Sequence, residues 1–145
     1  MKGYMKVALE LARESMKIGE VPVGAVIVKD NVIIAQAYNQ VETNCSPVAH
    51  AEVLAIERAC EALKNWRLSG CTLYVTLEPC IMCMGAILNA RISKLVYGAG
   101  DNLKGAVETH ADFIRSPLFK NIEIYPNILE EDCASLIKEF FNEKR

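Results

Sequence analysis

His50 and Glu52 stand one residue apart, and Pro79-Cys80-Ile81-Met82-Cys83 follows later in the chain. The set holds one imidazole, one carboxylate and two thiols. Soft sulfur with imidazole suits zinc in tetrahedral coordination. Three protein ligands, His50, Cys80 and Cys83, leave a fourth position for water, which is the catalytic arrangement and not the closed structural one. Two cysteines at x-x spacing on the first turn of a helix are favoured as thiolates by the helix N-terminus. Positions two apart on a helix do not share a face. At a helix start, however, a ligand and a carboxylate can reach one water from different sides, so Glu52 reads as the acid/base group and not as a fourth ligand.

Other readings of these residues exist. A Cys-x-x-Cys pair also serves redox chemistry. A closed structural zinc site would need a fourth ligand, for which His110 or Cys45 is available, and would leave Glu52 without a task. His50 alone could be a packed histidine, and His110 reads as structural or exposed. Glu78, directly before Pro79, is given no chemistry; it can orient the cysteine turn or tie down the helix.

These groups need elements to hold them. Tyr4, Val7, Ala8, Leu11, Ala12, Ser15 and Ile18 recur at helical spacing, and Gly19 stops that helix. Val23–Val28 and Val32–Ala37 are apolar, β-branched runs joined by Lys29-Asp30-Asn31, an antiparallel hairpin. Residues 38–48 form a polar loop next to His50 and so a candidate substrate loop. Helical spacing resumes through Ala51, Leu54, Ala55, Arg58, Ala59 and Leu63. Cys71–Leu77 reads as a buried strand ended by Glu78-Pro79, and the next helix runs to about Asn89. A short strand at Leu95–Tyr97, a sharp turn at Gly98-Ala99-Gly100, an edge strand at Ile122–Ile124 and a helix over Leu129–Phe141, with Ile128 on its apolar side, complete the series. Val107–Ile114 is expected as a further helix ended by Ser116-Pro117. Alternating helices and five strands imply an α/β fold with a central mixed sheet covered on both faces.

The chain has 145 residues, enough for one compact domain over 1–145 without disulfides. Hydrophobic residues make up 52% and charged residues 23%, an ordinary globular balance. No apolar run reaches the ~18 residues needed to span a bilayer. The start lacks a signal-peptide core, so a cytoplasmic location and free thiols are expected. The formal net charge of −2 is no general nucleic-acid-binding balance. An RNA substrate then requires Lys and Arg grouped on one face.

The His-x-Glu … Pro-Cys-x-x-Cys pattern is the known signature of zinc nucleobase deaminases. Around it, the sequence resembles the tRNA-specific adenosine deaminase family through Gly19-Glu20-Val21-Pro22-Val23-Gly24-Ala25-Val26, Asn39 and Ala49-His50-Ala51-Glu52-Val53. The likeness continues through Leu73-Tyr74-Val75-Thr76-Leu77-Glu78-Pro79-Cys80, Met82-Cys83-Met84-Gly85-Ala86, Val96-Tyr97-Gly98-Ala99, Asp101, Glu131-Asp132-Cys133-Ala134 and Phe140-Phe141. The signature alone specifies only the wider cytidine-deaminase-like superfamily; the flanking blocks narrow it. The resemblance implies a three-layer α/β/α homodimer that binds Zn2+ and converts the wobble adenosine of a tRNA anticodon stem-loop to inosine. It implies that Asn39 hydrogen-bonds the flipped base and that Ala51 offers it a backbone contact. Val21 and Pro22 would line the pocket, and Asp101 would contact the nucleotide. The terminal helix near Phe141 and Lys144-Arg145 would meet the stem-loop. This chain departs from the family after Asp101, where Asn102–His110 lacks the usual Gly-Ser pair, and has Gly100 where a basic residue is sometimes found.

The expected reaction is hydrolytic deamination, with Glu52 moving the protons in sequence. The rival readings are a deaminase of a free base or nucleoside, such as guanine or cytosine, and a non-enzymatic subunit that retains zinc and binds RNA or a partner.

Overall fold

The structure is a computed structural model and describes residues 1–143. Its elements run α1 (Lys2–Lys17), β1 (Gly24–Lys29), β2 (Val32–Tyr38), α2 (Ala51–Leu63), β3 (Thr72–Leu77), α3 (Ile81–Asn89), β4 (Lys94–Ala99), β5 (Glu123–Tyr125) and α4 (Glu130–Glu143). One 3-10 turn, Pro117–Phe119, lies between β4 and β5.

The five strands form one mixed sheet in the order β2-β1-β3-β4-β5. β1 pairs antiparallel with both β2 and β3, whereas β3, β4 and β5 run parallel. The β1–β2 link is a two-residue turn, Asp30-Asn31, with φ of 50° and 63°. Both values suit the twist of a tight hairpin, and Asp and Asn accept positive φ better than other side chains.

Side chains along the strands alternate between two cores, as the period of two requires. Ala25, Ile27, Leu73, Val75, Leu95 and Tyr97 face the core shared with α2 and α3 through Ala51, Ala55, Ala59, Met84 and Ile87. Val26, Val28, Tyr74 and Val96 face the opposite core, with Met5, Ala8, Leu9 and Ala12 of α1 and Cys133 and Leu136 of α4. The result is three layers, α/β/α.

Three local expectations are corrected. Val107–Ile114 is not a helix but a run of turns. The Val107, Glu108 and Thr109 N–H groups there are taken by the Glu78 carboxylate. Gly98-Ala99 is not a turn; β4 continues through Ala99. Gly98 is needed there because a Cβ would overlap the Cys133 sulfur of α4 and lie 2.8 Å from the Thr76 carbonyl. Ile128 precedes α4, and its N–H bonds the Tyr97 carbonyl at 3.1 Å.

Among the described residues, no helix is long and apolar enough to cross a membrane.

Candidate metal centre and active site

The two helices on one face of the sheet begin at the site. His50 is the N-cap of α2 and Cys80 the N-cap of α3, both with extended backbone (φ −73°, ψ 151° and φ −77°, ψ 175°). Cys83 is three residues into α3 and fully buried. β3 ends at Leu77, so the cysteine turn sits at the carboxyl end of a parallel strand, where open α/β sheets place ligands.

His50 Nδ1 lies 3.5 Å from Cys83 Sγ and 3.7 Å from Cys80 Sγ. One donor atom from each of the three residues falls within 4.8 Å of the others. Zinc bonds of about 2.3 Å to sulfur and about 2.0–2.1 Å to nitrogen, at a tetrahedral angle, put N and S about 3.6 Å apart. The triangle therefore fits a tetrahedral ion bound through two sulfurs and one nitrogen. Neither Cys45, which is exposed, nor His110, whose Nε2 lies 2.8 Å from the Leu103 carbonyl, joins this cluster.

The electrostatics favour ligation. Donation from the Cys83 thiol outweighs burial and, with the His50 ring and the Cys83 N–H, pulls the Cys80 thiol down to about 3. That exchange pushes Cys83 up, because its proton is the one shared. His50 is raised, chiefly by its bond to Cys80. A bound cation would relieve this proton sharing by taking both sulfurs as thiolates.

Glu52 is the second residue of α2 and only 4% exposed. Burial pushes its carboxyl up to about 7, against its own backbone N–H and the nearby His50 ring. A carboxyl that titrates near neutrality beside a metal triangle can both take and return a proton.

A cavity of about 630 Å³ opens over the triangle. It is lined by Pro47 and His50, by Cys80, Ile81 and Met82 of the cysteine turn, and by Lys104, Ala106, His110, Asp112 and Phe113 of the segment after β4, which walls it. Those wall residues escape sequence reasoning, since nothing in their spacing shows that they face the metal turn.

The expected substrate residues are placed as follows. Asn39, at the end of β2, is buried; its Nδ2 donates to the Val21 carbonyl at 3.4 Å, and its Oδ1 has no partner. The Gln40 N–H bonds the Ala49 carbonyl at 3.0 Å, which ties this residue pair to the segment entering His50. Pro22 is buried and Val21 half-buried. Ala51 is fully buried at the first position of α2, where the N–H has no partner within the helix. Asp101 Oδ1 accepts from the Leu103 and Lys104 N–H groups at 3.0 and 3.1 Å, an Asx-type turn. None of these five is among the residues that line the cavity over the metal triangle. Phe141 is half-exposed on α4, while Lys144 and Arg145 lie outside the described residues.

Two further carboxylates fasten the loops on either side. Glu20, 1% exposed, accepts from the Glu42 N–H at 3.1 Å and from both the N–H and the hydroxyl of Thr43 at 2.7 Å. Glu78, 2% exposed, accepts from Asp101, Val107, Glu108 and Thr109 N–H groups and from the Thr109 hydroxyl, at 2.9–3.1 Å. Burial raises both carboxyls, but the donors outweigh it and hold each below its ordinary value.

A family model described as MafB19-like deaminase matches residues 1–145. The chain is 46% identical over 143 residues to a tRNA-specific adenosine deaminase of Bacillus subtilis (strain 168), covering 98% of this chain and 89% of that protein. It is 48% identical over 145 residues to a tRNA-specific adenosine deaminase of Buchnera aphidicola subsp. Baizongia pistaciae (strain Bp), covering 99% and 90%. A solved structure from studies of A-to-I editing by tRNA:A34 deaminases at the wobble position of transfer RNA superimposes with a TM-score of 0.90. It is 42% identical to this chain and covers 94% of it and 99% of its own length.

Proposed function

Because the chain belongs to the tRNA-specific adenosine deaminase family, within the cytidine-deaminase-like zinc deaminases, we propose that it hydrolyses the wobble adenosine of a tRNA anticodon to inosine. The observation that carries the reaction is the buried Glu52 carboxyl beside the His50–Cys80–Cys83 triangle. The likeness over nearly the whole chain carries the substrate.

His50, Cys80 and Cys83 would hold Zn2+, which would supply a Lewis acid that makes water a better nucleophile at neutral pH. Glu52 accepts a proton from the attacking water and passes it to adenine N1 as oxygen bonds to C6. Glu52 then takes the remaining proton from the new C6 hydroxyl and delivers it to the amino group, so that C6=O forms as the C6–N bond breaks. Adenosine and water become inosine and ammonia, and one carboxyl serves both transfers because they are sequential.

Asn39 offers its unpartnered Oδ1 to the extruded base, while Val21 and Pro22 form an apolar edge and the Ala51 backbone a further contact. Asp101 meets the target nucleotide. A loop nucleotide is the fitting substrate, since an unstacked base costs less to extrude than one in a duplex. The resemblance further supports a single-domain cytoplasmic homodimer, which light scattering at micromolar concentration tests.

The decisive assay is inosine formation in an unmodified anticodon stem-loop bearing a wobble adenosine, with zinc-loaded protein. Free adenine, guanine, cytosine and their nucleosides are assayed for ammonia alongside. Inosine at the wobble position supports the reading. Ammonia from a free base alone replaces it with small-molecule deamination.

A further inference from the structure

The cavity wall has no regular secondary structure of its own through residues 101–116. It is nevertheless tied at two points to the turn that delivers Cys80. Gly105 pairs with Cys80 backbone to backbone through the Ala106 N–H, which bonds the Pro79 carbonyl at 2.9 Å. The second tie is Glu78. Its Oε1 takes the Asp101 N–H at 3.0 Å and the Thr109 hydroxyl at 2.9 Å, at the two ends of the segment. Its Oε2 gathers three successive N–H groups, Val107, Glu108 and Thr109, at 3.0, 2.9 and 3.1 Å.

The fit is tight as well as polar. A Cβ on Gly105 would overlap the Glu78 carboxylate, so the loop closes around that group with no space for a side chain. Five donors converging on one buried carboxylate replace the hydrogen bonds that a helix or strand would have supplied. The residues so held include Lys104, Ala106 and His110, which face the cavity.

We propose that Glu78 is a specificity-positioning residue: it holds the 101–110 wall at a set height above the metal turn and so sets how the cavity grips its substrate. The proposal rests on the deaminase reading above. Glu78 touches no reacting atom. It acts through the wall, so its loss weakens substrate binding while leaving the metal triangle and Glu52 chemically intact.

The test compares wild type with Glu78→Gln, Thr109→Val and Thr109→Ser, each assayed for zinc content, kcat and KM on the anticodon stem-loop. Gln keeps the shape of Glu78 but replaces an acceptor oxygen with an amide that faces donors. The expected result for Glu78→Gln is full zinc, kcat within about threefold of wild type and KM raised roughly tenfold or more. Thr109→Val, which removes only the hydroxyl tie, raises KM by a smaller factor, and Thr109→Ser restores it. Unchanged KM in Glu78→Gln overturns the proposal. So does a fall in turnover that merely follows zinc loss in both Glu78→Gln and Thr109→Val, since Glu78 would then serve the metal turn alone. If the wild type itself makes no inosine, the deaminase reading fails separately, before any variant is compared.

Discussion

His50 Nδ1 and Cys83 Sγ stand 3.5 Å apart although they lie 33 positions apart in the chain, because the N-termini of α2 and α3 meet near the carboxyl end of the central strand β3. Neither helix presents a metal site alone. Their packing on one sheet face makes the triangle, and the chemistry proposed for Glu52 depends on it.

Replacing Cys80 with Ala removes one corner of that triangle. Zinc content, measured by inductively coupled plasma mass spectrometry after dialysis, is expected to fall to background, and turnover with it. Three ligands are the minimum for a catalytic site of this kind. Full zinc in this variant would falsify the ligand assignment.

Glu52→Gln separates the metal from the proton transfers. The amide fits the same space but carries no exchangeable acid. Zinc and thermal midpoint are expected to stay near wild type, while kcat drops by about 10²–10⁴, the usual contribution of a positioned acid/base group. Single-turnover inosine formation checks this; a rate within about threefold of wild type removes Glu52 from the mechanism.

Asn39 has a buried Oδ1 without a partner in the free protein. Asn39→Ala takes away one hydrogen bond to the base, worth about 1–3 kcal/mol when its loss leaves a group unpaired. A decrease in kcat/KM of roughly 5–150-fold follows from that energy. The urea midpoint is expected to fall only modestly, because the one bond lost in the free fold is the long 3.4 Å contact from Nδ2 to the Val21 carbonyl, and Oδ1 has no partner there. A large loss of stability with unchanged kcat/KM would assign Asn39 to the fold instead.

Stability in acid depends on Glu20. Its carboxylate is held below the ordinary value by Thr43 and Glu42 donors that outweigh burial. A depressed carboxyl adds stability at pH above its unfolded value, and that stability is lost as pH falls through the lower folded value. Wild type is therefore expected to lose urea resistance on going from about pH 6 toward about pH 3.5, and Glu20→Gln to show a flatter profile over that range. Parallel profiles for the two proteins would exclude Glu20 as a source of the acid sensitivity.

Gly24 marks the closest approach of α1 to the sheet. A Cβ there would collide with the Ala8 carbonyl and lie 2.8 Å from the Ala12 nitrogen, both backbone atoms that cannot rotate aside. Gly24→Ala is expected to cost about 1–3 kcal/mol, as overpacking of a filled core does. Equilibrium urea unfolding measures it, and a neutral result would mean that α1 can shift away freely.

Much of the fold is legible in the residues themselves. The 3.6-residue period over Tyr4–Ile18 and Ala51–Leu63 marks α1 and α2, and β-branched runs mark β1 and β2, because those patterns repeat within one element. The ligand types are legible too, since sulfur and imidazole carry their metal preference in the side chain itself. Val107–Ile114 has the spacing of a helix without forming one. Its apolar spacing is local, whereas Glu78, about 30 residues earlier, anchors its start, and no pattern within the segment shows that contact.

Residue types alone therefore determined the layers and the candidate metal donors. Only tertiary structure decided which loops wall the cavity, and that Glu20 and Glu78 are fasteners and not surface acids. A hydrogen bond between a side chain and a backbone N–H 22–31 residues away leaves no period in the chain. It exists only once the sheet has brought β1, β3 and β4 side by side.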